Sequence, residues 1–266
     1  MPAARLILYT GLGVSRELLQ RQRGLPLALE MPAWIDPLRR EPLEAYARRM
    51  SLDVTRRVRK YADDPDSSRA AEEYGPSRVR SEPGVVGDDE MSQQDDVPLF
   101  LGGVSFGAMV ALEVARHVPG IAGVFLLSGA LTGRAISPLL QPLARSMPYV
   151  PLALGLPILK MSPLLYPLLG VSRTPDRRAL DQVLPRASPA LFRWGAWAAA
   201  TWDPPALPAV PIHHIHGGSD LIIPVQRVRA DVIVKGAGHL LNLTHADAVN
   251  AFIMSRIQDT LKRGTA

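Results

Sequence analysis

The stretch from Pro98 to Ala115 constrains this chain more than any other. It reads as an apolar strand, a Gly103-Val-Ser105-Phe-Gly107 turn and a helix, in that order. In a G-x-S-x-G turn the serine sits where strand passes sharply into helix, and glycine on both sides lets the two backbones approach closely. Such a turn lifts the Ser105 hydroxyl clear of the sheet and aims the amide of Phe106 at the place where an oxyanion would form. The five residues alone also describe a plain Gly-Ser loop. The flanks decide the matter. Leu99, Phe100 and Leu101 supply a buried strand, and Met109, Val110, Leu112, Val114 and Ala115 supply a helix apolar on more than one side, as expected of one packed centrally on a sheet. Ser105 is the candidate nucleophile.

A serine hydroxyl is weakly nucleophilic at neutral pH, so it needs a base, and the base needs a group that fixes its tautomer. Ser105, Asp220 and His239 occur in that order, each just past the end of an expected strand. In a parallel sheet such loops lie along one edge, where residues far apart in sequence converge. No carboxylate follows the strand that ends near Ser128, which leaves Asp220 as the acid, with Asp203 of Trp202-Asp-Pro-Pro as its rival. His245 is a weaker candidate base than His239, because Thr244 reads as the N-cap of a closing helix over His245–Arg263, with Asp247 in the capping-box position. The early Thr10-Gly-Leu-Gly13 loop lacks the phosphate-binding G-x-x-x-x-G-K pattern, and G-x-G-x-x-G fails at Arg16. It reads as the source of a second oxyanion-hole amide, from Leu12, or as an ordinary tight turn before a helix around Arg16–Arg21.

Strands are expected at Ala4–Tyr9, Leu25–Glu30, Pro98–Leu101, Ile121–Leu127, Val210–His216 and Asp231–Lys235. Pro42–Val58 has helical spacing, with Leu43, Tyr46, Ala47, Met50 and Val54 on one face. Residues 1–131 and 209–266 therefore form one α/β core. Residues 132–208 break the alternation and suggest a helical lid, with short helices over Pro138–Arg145, Pro151–Met161, Pro163–Leu169, Asp176–Leu184 and Pro189–Ala200. Trp194, Trp197 and Trp202 there are candidate substrate-binding walls; the alternative is that they pack the lid onto the body. The apolar run Met147–Leu169 holds five prolines, Gly155 and Lys160, which argue against a membrane span. Residues 61–96 are polar and breaker-rich with a net charge of −8, leaving +13 on the remainder. They read as an acidic surface insertion unable to bury enough apolar area to order itself.

At 266 residues and 47% hydrophobic the chain can bury a full core. It has no cysteine, and its six histidines show no metal-ligand spacing, so no metal and no cofactor is expected. The apolar run Leu6–Tyr9 is too short for a signal-peptide core, from which a cytoplasmic location is expected. The arginine pairs, such as Arg39-Arg40 and Arg177-Arg178, are scattered and lack interleaved aromatics, so neither a nucleic-acid partner nor stable membrane insertion is expected. Nothing in the pattern speaks to oligomeric state.

Gly103-x-Ser105-x-Gly107, His216-Gly-Gly-Ser-Asp220 and Gly236-Ala-Gly-His239 together resemble the α/β-hydrolase superfamily, over nearly the whole chain apart from the acidic insertion. Within it the chain is similar to lid-bearing bacterial esterases and stand-alone, type II-like thioesterases. The resemblance implies Ser105 as nucleophile, His239 as base and Asp220 as its orienter, with the Leu12 and Phe106 amides as the oxyanion hole. It implies an α/β-hydrolase fold with a mostly parallel sheet flanked by helices. The chain begins at what would be the family's third strand, so the sheet should have about six strands. Thr10-Gly11 stands where the family usually has His-Gly. The activity implied is hydrolysis of a small-molecule carboxylic ester or thioester with an apolar acyl group, through an acyl-enzyme. Acyl transfer or C–C bond hydrolysis on the same scaffold is the alternative, and a non-catalytic ligand-binding role is a third.

Overall fold

The computed structural model describes residues 4–12, 14–63, 97–151, 162–183 and 188–264. Within them six strands form one parallel sheet: β1 Arg5–Tyr9, β2 Ala28–Glu30, β3 Leu99–Val104, β4 Ile121–Leu127, β5 Ile212–Gly217 and β6 Val232–Val234. Their order is β2-β1-β3-β4-β5-β6. The chain therefore winds one way from β1 to β2 and the other way from β3 onward. Loops leaving β1 and β3 part there, opening a crevice at the carboxyl ends of these two neighbouring strands.

Helices cover both faces of the sheet, so the central strands are apolar and buried without alternation: every residue of β1 and of β3 is buried. Ile7, Tyr9, Leu99, Leu101, Val124 and Leu126 face one cluster, which takes in helix α1 (Leu43–Asp63) and helix α2 (Phe106–Ala115). Leu6, Leu8, Phe100, Phe125 and Leu127 face the other. Each such side chain contributes about 1.5–3 kcal/mol by leaving water. α1 buries Leu43, Tyr46, Ala47, Met50 and Val54, the face expected from its spacing. All ten residues of α2 are buried, which explains why it is apolar all round.

Between β4 and β5 come α3 (Gln141–Ser146), α4 (Ser162–Leu169), α5 (Thr174–Val183) and α6 (Pro189–Thr201). They divide between the sheet's two sides. Leu191, Trp194 and Ala198 of α6 join the first cluster, and Leu180 of α5 with Val171 joins the second. After β6 follow α7 (Leu241–Thr244) and α8 (Ala246–Gly264).

Several expectations meet corrections. The closing helix is broken at His245, and Thr244 ends α7 instead of capping α8: its hydroxyl donates to the Leu240 carbonyl at 3.2 Å and accepts from His245 Nδ1 at 2.9 Å. The second strand shrinks to Ala28–Glu30 because the Leu25 and Leu27 amides are used in turns, on the Gln22 and Leu25 carbonyls. Residues 61–63 of the expected insertion are the last turn of α1. The rest of that insertion and the helix expected over Pro151–Met161 lie outside the described residues, apart from Pro151 itself.

Candidate active site

Ser105 follows β3 directly and stands at the N-terminus of α2 with φ 55° and ψ −117°. A positive φ on a residue with a side chain costs on the order of 1–3 kcal/mol and persists only where its surroundings enforce it. Here the Ser105 amide donates to the Leu127 carbonyl at 2.9 Å, and its carbonyl accepts from Ala108 at 3.0 Å. A methyl group at Gly103 would overlap the Gly107 carbonyl, and one at Gly107 would overlap the Thr10 carbonyl. The two glycines are thus required by crowding between strand, helix and the loop after β1.

His239 lies in the turn between β6 and α7, and Asp220 in the loop after β5. The Ser105 Oγ is 2.8 Å from His239 Nε2, and His239 Nδ1 is 2.7 Å from Asp220 Oδ2. An ionised carboxylate can only accept, so Nδ1 carries the ring proton and Nε2 offers its lone pair to the serine hydroxyl. The relay is graded in burial: Ser105 is partly exposed, while His239 and Asp220 are 3% and 4% exposed. Burial works against the Asp220 charge. His239, the Ile223 amide and His216 outweigh it and hold the carboxyl below its ordinary pKa. Asp220 Oδ1 accepts from the Ile222 and Ile223 amides, both at 2.9 Å, and Oδ2 also lies 3.3 Å from His216 Nε2.

The loop after β1 is braced from both sides. Thr10 Oγ1 donates to the Val14 carbonyl at 3.0 Å and accepts from Trp34 Nε1 at 2.8 Å. Leu12 packs so closely on Gly195 of α6 that a methyl group there would overlap its side chain, and the Phe106 ring is the next neighbour. Phe106 begins α2, so its amide has no acceptor within the helix. Its ring stands 5.6 Å from Trp34 and 5.7 Å from Trp194, centroid to centroid.

Two of the three tryptophans are buried with their ring N–H groups bonded inside the protein. Trp194 is 7% exposed, packs 4.3 Å from Tyr46 and donates to the Glu41 carbonyl. Trp202 is 2% exposed and donates to buried Glu113. Both bind the β4–β5 segment to the body, the alternative the sequence left open. Trp197 is partly buried against the same cluster. The rival acid Asp203 is also accounted for, at the surface with Arg134 at 2.6 Å and Thr132 at 3.2 Å. A cavity of about 380 Å³ flanks the Asp220 loop, walled by Leu139, Leu140, Leu168 and Leu221 with Ser137 and Ser219. Among the described residues no cluster of three or more His, Cys, Asp or Glu is placed to hold a metal ion, and no helix is long and apolar enough to cross a membrane.

Sequence reasoning missed the Thr10–Trp34 brace and the histidines behind Asp220. The signal for the latter was present: in His213-His-Ile-His216 the residues His214 and His216 sit two apart, on one face of a strand.

A family model described as the alpha/beta hydrolase family matches residues 63–252. No curated protein matches the chain significantly. Among solved structures, a hydrolase from Pseudomonas aeruginosa is similar with a TM-score of 0.61 and 14% identity, over 95% of this chain and 89% of that one. A thermophilic esterase from Thermogutta terrifontis gives 0.60 and 16%, over 97% and 90%. A type II thioesterase from the yersiniabactin pathway gives 0.57 and 16%, over 97% and 94%. At these identities the likeness is one of fold.

Proposed function

As this chain belongs to the alpha/beta hydrolase family, we propose that it is a serine hydrolase of carboxylic esters or thioesters, working through Ser105, His239 and Asp220. The observation that carries the reading is the unbroken relay of 2.8 Å and 2.7 Å contacts from a partly exposed hydroxyl to a buried carboxylate. A binding protein would need none of it. The Ser105 Oγ attacks the acyl carbonyl while His239 Nε2 takes its proton, and the same proton passes to the departing alkoxide or thiolate. The acyl-enzyme is released by water, which His239 deprotonates in turn; Asp220 stabilises the imidazolium in both steps. Leu12 and Phe106 are the amides proposed for the oxyanion, and one such donor is typically worth roughly 2.7–4 kcal/mol.

We also propose that residues 132–208 act as the lid of this core, and that the apolar composition of that segment favours substrates carrying hydrocarbon. Ester and thioester neighbours both support the bond class. The deciding experiment is a chain-length panel of p-nitrophenyl esters and acyl-CoA thioesters with wild type and Ser105→Ala. Turnover that falls at least ~10³-fold in Ser105→Ala is expected. Turnover unaffected by that substitution, or none on any substrate together with no labelling of Ser105 by a fluorophosphonate, would reject the serine-hydrolase reading.

A further inference from the structure

We propose that His216 is a positioning residue for the triad: its Nε2 proton goes to the Ile223 carbonyl and lies beside Asp220 Oδ2, and His214 behind it holds its ring. The inference rests on the triad reading above. Ring nitrogens and their partners form a chain here. His214 Nδ1 is 3.1 Å from the Arg229 carbonyl, His214 Nε2 is 3.1 Å from His216 Nδ1, and His216 Nε2 is 2.8 Å from the Ile223 carbonyl and 3.3 Å from Asp220 Oδ2. The rings meet nearly edge-on, at 84°, and both residues are buried.

Counting donors and acceptors settles which nitrogen carries the proton. Both imidazoles are neutral at neutral pH, because burial lowers the pKa of each, that of His214 to about 4. Two neutral rings share two protons among four nitrogens. If His216 Nε2 were bare, its lone pair would face a carbonyl oxygen and a carboxylate at once, in a site closed to water. Both remaining arrangements put a proton on His216 Nε2 and leave one milder mismatch, at the Arg229 carbonyl or between the rings. The groups facing the pair are few. Asp231 Oδ2 accepts from the His214 backbone amide at 2.8 Å, and Asp220 and His239 are the charged or titratable groups acting on His216.

Asp220 thereby accepts two amides on Oδ1 and His239 on Oδ2, with the His216 N–H 3.3 Å from Oδ2 as a further polar neighbour. His216 holds Ile223, whose amide donates to Asp220 Oδ1, and its nearby N–H offsets part of the negative charge that His239 meets. Without it Asp220 is less compensated and holds the imidazolium more tightly, so the base is regained only at higher pH.

Two measurements test this. In protein labelled with ¹⁵N-histidine, His216 should show a protonated Nε2 and a bare Nδ1 over about pH 6 to 8; a bare Nε2 would overturn the proposal. In kinetics with a p-nitrophenyl ester, His216→Phe keeps the ring and removes the donor. It should lower kcat about tenfold with little change in KM, and move the acid limb of kcat/KM up by about half a pH unit or more. His216→Gln, which restores a donor, should recover part of both. If Ser105→Ala is inactive while His216→Phe keeps the wild-type limb, His216 has no positioning role. If Ser105→Ala stays active, the triad reading itself fails. The NMR arm uses wild type and so stands even where a variant folds poorly.

Discussion

Asp220 accepts three hydrogen bonds in a buried site, and that concentration has consequences for pH. An Asp220→Asn variant keeps the shape but presents an amide to His239 Nδ1, forcing the ring toward the wrong tautomer. A loss of about 10⁴ in kcat is expected, measured by steady-state ester hydrolysis. His214 gives the opposite kind of prediction, one of stability. Burial pushes its pKa down to about 4, well under the ordinary imidazole value of 6.5. Between those values the unfolded chain binds a proton that the folded one refuses, so stability falls as pH drops through that window, by on the order of 3 kcal/mol. His214→Leu should flatten the decline of the urea midpoint between about pH 6.5 and 4; an unchanged slope would show that other groups set it. The meeting of Ser105, His239 and Asp220 was legible because their order and strand-end placement are sequence properties. The role of His216 was not, since it depends on how the loop from Gly218 to Ile223 folds back over β5. Between the two readings of Trp194 and Trp202 the sequence could not choose, for a related reason: composition shows a large ring but not whether its N–H is already spent inside.

At the level of elements, the turn after α4 is fastened to the strand-to-helix turn that carries His239. The Leu240 amide donates to the Leu169 carbonyl at 3.1 Å. Gly170, with φ 70°, lies so close to Gly238 that a methyl group on either would overlap the other. Gly170→Ala should therefore cost ~1–3 kcal/mol in urea unfolding and lower kcat, because the residue that yields is next to His239. Gly24→Ala meets nothing within 4 Å and serves as the neutral control. A second tie, Arg21 to Asp176 at 2.8 Å, joins α5 to the short 3₁₀ helix over Arg16–Gln22. The long elements were readable from periodicity. The ends were not: whether Leu25 continues β2, or Thr244 caps α8, is decided by neighbouring backbone groups that local patterns do not reveal.

Across the whole molecule, the sheet separates two apolar clusters that share no side chains. Substitutions on opposite faces should act independently. Met50→Ala and Leu180→Ala are each expected to cost ~2–5 kcal/mol, and their double mutant to equal the sum within ~0.5 kcal/mol by chemical denaturation. A larger departure would mean that the two faces are coupled through the strands. The parallel pairing has one more consequence, for how such a chain comes into being. Arg5 pairs with Leu99 and Tyr9 with Gly103. During synthesis β1 has only β2 beside it until β3 has emerged, and the centre of the sheet must wait for that distant closure. The strand that presents Ser105 is also the one that ends this wait, so a lesion in Leu99–Val104 strikes the yield of folded protein before it can strike the chemistry.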